Sequence, residues 1–196
     1  MAKLLYQGHG SCRITTQSGT VIYIDPYAGE GYDRPADLIL ITHEHSDHNK
    51  VSIVTKKPGT RIIRAADALK NGAYGSFIIG GIKIEAVEAY NSNHRKDECV
   101  GYILTMDCVS LYAAGDTSET EQMKDMKSRC LDWVLLPIDG IYNMGAAEAS
   151  RCAALIGAKH TVPIHMKPGG LFNRSAAEAL HSSGRVIVEP GEIIEL

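Results

Sequence analysis

The chain is short of positive charge, of paired cysteines and of long apolar runs, and each shortage removes a class of protein. Its 20 Lys and Arg against 23 Asp and Glu leave a formal charge of -3. No broad basic surface is therefore available for DNA or RNA, whose binding rests on neutralising phosphates. The five cysteines, Cys12, Cys99, Cys108, Cys130 and Cys152, are odd in number and form no CxxC pair. That pattern excludes a disulfide framework and points to reduced thiols. Cys12 lies close to His9 and could serve as a reactive thiol or ligand, but a small buried filler is the plainer expectation. No run approaches the ~20 apolar residues of a membrane span. The first eight residues lack the apolar core of a signal peptide, so a cytoplasmic location with no membrane partner is expected.

What is present is an ordinary globular balance, with 44 % hydrophobic and 22 % charged residues in a chain of 196. No Pro/Gly/Ser-rich linker or low-complexity tract divides it, so residues 1–196 are expected to form one domain. Strand-like runs fall at 3–6, 12–16, 21–25, 38–42 and 61–64. Hairpins follow at 76–79/82–89 across Gly80-Gly81 and at 101–106/110–114 through Asp107-Cys108. Further strands are expected at 133–137, 161–164, 185–189 and 193–196. Short helices are expected at 51–55 and 65–70, and an Ala-rich one at 146–156 closed by Gly157. Two capping boxes, Ser118 with Glu121 and Ser175 with Glu178, predict helices running to about Ser128 and to near Gly184. Many strands with interspersed helices and no regular βαβα order predict an α/β layered (α+β) sandwich.

The densest chemistry is His43-Glu44-His45-Ser46-Asp47-His48, placed directly after the apolar run 38–41. Three imidazoles and a carboxylate in six residues are borderline ligands suited to zinc or a similar divalent ion. A loop at the end of a rigid strand is also where such side chains can be presented together. His94, Asp116 and His165 each follow an apolar run in the same way. Taken singly, Asp116 reads as a helix N-cap, and His94 and His165 as ordinary surface or core histidines. Only their order after the hexapeptide raises them to candidate ligands.

His43-x-His45-x-Asp47-His48, His94, Gly115-Asp116-Thr117 and His165 together resemble the metallo-β-lactamase superfamily of metal-dependent hydrolases. The likeness covers nearly the whole chain. It is nearest to short, single-domain lactonase-like members, through Gly8-His9, Pro35-Ala36-Asp37 and Tyr142-Asn143-Met144-Gly145. It implies an αββα sandwich of two face-to-face β-sheets flanked by helices, with the metal site at one edge. By the same resemblance, His43, His45 and His94 hold one metal; Asp47, His48 and His165 hold the second; Asp116 bridges them. Two divalent ions are implied, zinc first, with manganese or iron as alternatives. Neutral imidazoles leave such an ion Lewis-acidic, so a bridging water can ionise near neutral pH and act as nucleophile. Asp47 could instead orient a ligand or act as a catalytic base. His9 is expected either to be satisfied in its glycine turn or to act in catalysis, contacting substrate or shuttling a proton.

The reaction implied is hydrolysis of a small ester, lactone or phosphodiester. A mononuclear-iron dioxygenase of the same fold and a non-catalytic, metal-stabilised metabolite-binding protein are the alternatives. Tyr27, Arg34, Met144 and the 169–172 loop are expected around the site. Arg95, Tyr142 and Lys167 are expected to bind the substrate, a small molecule that can be anionic.

Overall fold

A computed structural model describes residues 1–196. Its first sheet is built from Lys3–Gly8 (β1), Ser11–Thr15 (β2), Val21–Ile24 (β3), Ala36–Leu40 (β4) and Lys56–Ile63 (β5). A two-stranded ribbon follows, Leu69–Lys70 (β6) and Ala73–Tyr74 (β7). The second sheet takes Ser76–Ile79 (β8), Ile82–Glu88 (β9), Val100–Met106 (β10), Val109–Ala113 (β11), Trp133–Pro137 (β12) and His160–Ile164 (β13). The closing strand Ile193–Glu195 (β14) returns to pair with β1, giving six strands in each sheet, ordered β14-β1-β2-β3-β4-β5 and β13-β12-β11-β10-β9-β8.

Period-two alternation decides which side chains lie between the sheets. Leu38 and Leu40 of β4 face inward, while Ile39 and the following Ile41 face outward, and all four are fully buried. In β12, Trp133 and Leu135 face inward, and Val134 and Leu136 outward. These inward sets meet in a core of 27 residues drawn from both sheets. The continuous apolar runs are thus strands covered on both faces, as expected of parallel neighbours. β3, β4 and β5 run parallel, as do β11, β12 and β13.

The αββα layering is present, with unequal outer layers. The helix Ala146–Ile156 (α2), the 3₁₀ segment Glu121–Arg129 and the helix Arg174–Ala179 (α3) contribute the apolar residues that cover the second sheet. The first sheet is covered by Tyr32, Val54 and the flank of a 3₁₀ turn at Val51–Ile53. The remaining helix is the four-residue turn Ala65–Ala68.

Three elements differ from the sequence reading, each for a visible reason. The Ser118/Glu121 box does not open an α-helix, and Glu121–Arg129 is a 3₁₀ segment whose cap position is Thr120. Its buried residues are Met123 and Met126, three apart, a spacing that a helix of three residues per turn stacks on one face. The last helix is capped by Asn173, whose side chain accepts from Ala176 N–H at 3.2 Å, rather than by Ser175. Residues 185–189 form no strand. They run along the edge of β13 through one parallel bridge, Thr161 to Arg185, and bury Val188 in the core.

The inward face of β4 makes a direct test. Leu38→Ala should destabilise the protein by about 3 kcal/mol, within the range for emptying a buried leucine site. Urea titration should show a lowered midpoint with an unchanged slope.

Candidate metal centre

Both parallel strand groups end at the same edge, and the residues past those ends converge there. Asp25 follows β3, the 43–48 loop follows β4, Asp116 follows β11, Asp139 follows β12 and His165 follows β13. His9 joins them from the turn after β1, and Asn91 and His94 from the loop after β9. Open α/β sheets place their sites beyond the carboxyl ends of their strands for the same geometric reason.

Three overlapping clusters result, each with ligand atoms within 4.8 Å of one another: His43, His45 and His94; His43, His48 and Asp116; His9, Asp47, His48 and His165. Asp116 lies between the two ends of the group. Its Oδ1 is 3.3 Å from His48 Nε2, and its Oδ2 is 3.3 Å from both His94 Nε2 and His165 Nε2. All seven expected metal ligands are therefore gathered in one place. His45 is the exposed member, whereas His43, His48, His94, Asp116 and His165 are buried.

The far side of each buried ring is tied down. Thr42 Oγ1 spends its proton on Asp25 Oδ2 at 2.6 Å, so it accepts from His43 Nδ1–H at 3.0 Å. His48 Nδ1–H donates to Asp25 Oδ2 at 2.9 Å. His94 Nδ1–H donates to Asn91 Oδ1 at 2.9 Å. His165 Nδ1 lies 2.9 Å from Asp139 Oδ2, in close electrostatic contact. With Nδ1 engaged, the Nε2 atoms point into the centre. There His43 Nε2, His48 Nε2, His165 Nε2 and Asp116 Oδ1 are buried without a hydrogen bond.

Buried polar atoms without partners are rare and costly. Four of them converge here, with the His43 and His48 rings each held by an acceptor on the other nitrogen and His165 Nδ1 set 2.9 Å from the Asp139 carboxylate, which is the arrangement of metal-binding histidines and their supports. The donor set of imidazoles and carboxylates fits a divalent ion of the zinc type.

Electrostatics agree. Burial would raise the Asp116 carboxyl, but the His48 charge, the His94 hydrogen bond and the His165 charge hold it well below the usual range. Asp47 is likewise lowered against the effect of burial, chiefly by His9 and His48. Desolvation opposes charge on His48, yet Asp116 and Asp25 overcome it and raise the ring to about 9. His43, desolvated and facing His48, is held down to about 2.

Of the remaining residues singled out in the sequence, Tyr142 lines the metal well with Asn93, and Arg95 borders an adjoining cavity. Tyr27 packs against His9 with ring centroids 5.2 Å apart. Lys167 is exposed and lines neither space. Arg34 sits in a separate depression with Lys3 and Arg13, and Met144 is buried under the helices. Cys12 is buried in the core, where desolvation pushes its thiol up, as suits a filler.

Asp25, Asn91 and Asp139 were not singled out in the sequence. The available signal was position, since Asp25 and Asp139 lie one and two residues beyond strand ends. Asp25 and His165, together with His9, also adopt left-handed backbone conformations, with φ of 46°, 44° and 57°. Such geometry is uncommon outside glycine and concentrates at functional sites.

A layered sandwich carrying a histidine-rich metal centre at its strand ends defines a metallo-β-lactamase-type protein. The profile of the beta-lactamase superfamily domain matches residues 3–165, and the chain belongs to that superfamily. Among full-length relatives, a UPF0173 metal-dependent hydrolase of Thermococcus onnurineus is 30% identical over 226 aligned positions, covering 100% of both chains. Another, from Methanoregula boonei, is 34% identical over 83% of this chain and 81% of its own. A Parabacteroides distasonis structure solved as a metal-dependent hydrolase superposes with a TM-score of 0.79 at 30% identity, covering 96% of this chain and 92% of that one. No helix is long and apolar enough to cross a membrane.

His48 sets the pH dependence of the metal-free protein. Its raised value means that the fold keeps a proton which the unfolded chain releases above about pH 6.5. That stabilisation is complete below pH 6.5 and is lost as pH rises through about 9. His43, held low, subtracts stability only below about 6.5, where the unfolded ring protonates. Chelator-treated protein should therefore still unfold cooperatively, with a Tm that falls between pH 6.5 and 9.

Proposed function

We propose that this metal-dependent hydrolase cleaves a small ester, lactone or phosphodiester and carries two divalent ions, zinc foremost, in the cytoplasm. The observation that supports it is the set of four unpaired buried ligand atoms converging around Asp116. His43, His45 and His94 would hold one ion, and Asp47, His48 and His165 the other, with Asp116 between them. When bound, the ion pair supplies Lewis acidity and an activated water, as such pairs do for acyl and phosphoryl transfer.

The protein's own groups supply position and protons. The Asp25–Thr42 hydrogen bonds and the Asn91 acceptor keep the ring planes fixed, so little reorganisation remains at reaction. His9 donates Nδ1–H to the Gly170 carbonyl at 3.1 Å, and its Nε2 faces Asp47 Oδ2 at 3.1 Å. His9 thus ties the Gly170 carbonyl to the carboxylate that lines the well, a position from which it would orient Asp47 or pass a proton. Tyr142 and Asn93 line that well, a cavity of about 190 Å³, a size that supports a small scissile group.

Protein purified without chelators should contain about two equivalents of zinc by elemental analysis and should turn over members of an ester, lactone and phosphodiester panel. Iron in place of zinc, with thiol-dependent oxygen uptake, would replace this reading by the dioxygenase. His9→Ala should retain its metal and lose roughly 10²-fold or more in kcat, the scale of a positioned proton donor. Unchanged turnover at full metal content would remove His9 from the chemistry.

A further inference from the structure

The metal well adjoins a larger cavity of about 460 Å³, and the two share the lining residues His45, Asn93 and His94. His43 lines the larger space, is only 2 % exposed and has no partner for Nε2. The size is that of a small-ligand pocket. Building on the hydrolase reading, we propose that this side cavity takes the hydrocarbon portion of a carboxylic ester or lactone, and that it favours an uncharged chain over one ending in a second anionic group.

The apolar residues of its lining are Ala65, Ala66 and Cys99. Small side chains leave the space open. Burial pushes the Cys99 thiol up to about 12, so it faces the cavity as a neutral, weakly polar group.

The rim holds Glu44, Asp97 and Glu98 against one cation, Arg95. That cation is engaged. Arg95 Nη2 and Nε donate to the two Asp97 carboxylate oxygens at 2.8 and 3.1 Å, and Nε also lies 3.5 Å from Glu98. Arg64, behind the rim, donates to both oxygens of Glu44 at 2.8 Å. Asn49 Nδ2 donates to the same carboxylate at 2.9 Å.

An anionic tail entering the cavity meets carboxylates and no free cation. A hydrocarbon tail meets alanine methyl groups and a thiol. Each methylene taken from water into such a space improves affinity about threefold.

Short carboxylic acids are the products of such a reaction, and they carry a head group for the metal well. The test titrates zinc-loaded protein, labelled with ¹³C at alanine methyl groups, with acetate, hexanoate and adipate. Hexanoate should shift the Ala65 and Ala66 signals and bind at least about tenfold more tightly than acetate or adipate. Ala66→Leu, at an exposed helical position that accepts a larger side chain, should bring hexanoate down to the acetate level and leave acetate unchanged. Adipate binding as tightly as hexanoate, or hexanoate leaving both methyl signals unmoved, would overturn the proposal. Ester turnover with no chain-length preference would also overturn it while leaving the hydrolase reading intact. Selective hexanoate binding with no ester or lactone hydrolysed would uphold the cavity assignment and remove the hydrolase reading instead.

Discussion

One buried carboxylate carries much of the site. Asp25, 1 % exposed at the end of β3, accepts the Thr42 N–H at 2.8 Å on one oxygen. Its other oxygen accepts the Thr42 hydroxyl at 2.6 Å and the His48 ring at 2.9 Å. Through Thr42 the same carboxylate reaches His43. A single side chain thus orients one imidazole from each expected metal set and pins the start of the loop that carries four ligands. Satisfying so many donors is what makes a charged group tolerable at this depth.

The sandwich explains why such a carboxylate can be there at all. Two groups of parallel strands bring their carboxyl ends to one edge, so side chains distant in sequence arrive on rigid supports. Close approach is needed as well. A Cβ on Gly115 would lie 2.9 Å from the Thr42 side chain, and the residue has φ of +66°. Glycine at that position lets the Asp116 turn pass beside the Thr42 hydroxyl that serves His43. The apolar packing does not depend on the site, because the core of 27 residues contains none of the candidate ligands.

The strands and the candidate ligands of the 43–48 loop were legible in the sequence because each had a strong local sign. The run 38–41 is apolar without interruption, and the hexapeptide packs four candidate ligands into six positions. His94, Asp116 and His165 had only weak local signs, and their order supplied the rest. The supporting residues had less. Asp25 before Pro26 looks like a strand stop, and Asn91 and Asp139 look like loop residues. Their role exists only once a ring comes within 3 Å, from the end of another strand for Asp25 and Asp139 and from three residues along the same loop for Asn91. The helices were harder for a different reason. Ser118 and Glu121 have the spacing of a capping box, but burial of Met123 and Met126 favoured three residues per turn. Arg95 illustrates the same limit for charge: beside His94 it reads as an anion receptor, whereas in space Asp97 occupies it.

Asp139 and Asn91 have one more consequence. Asp139 gathers the N–H groups of residues 141–143 while touching the His165 ring, and Asn91 donates to the Tyr142 carbonyl while accepting from His94. The 141–143 segment beside the well is thereby stitched to the supports of two rings, His94 and His165. Swinging that segment aside would twist both rings, so traffic in and out must use a doorway with a fixed frame. Selection among visitors then belongs to the shape and charge of the rooms behind it, not to a gate.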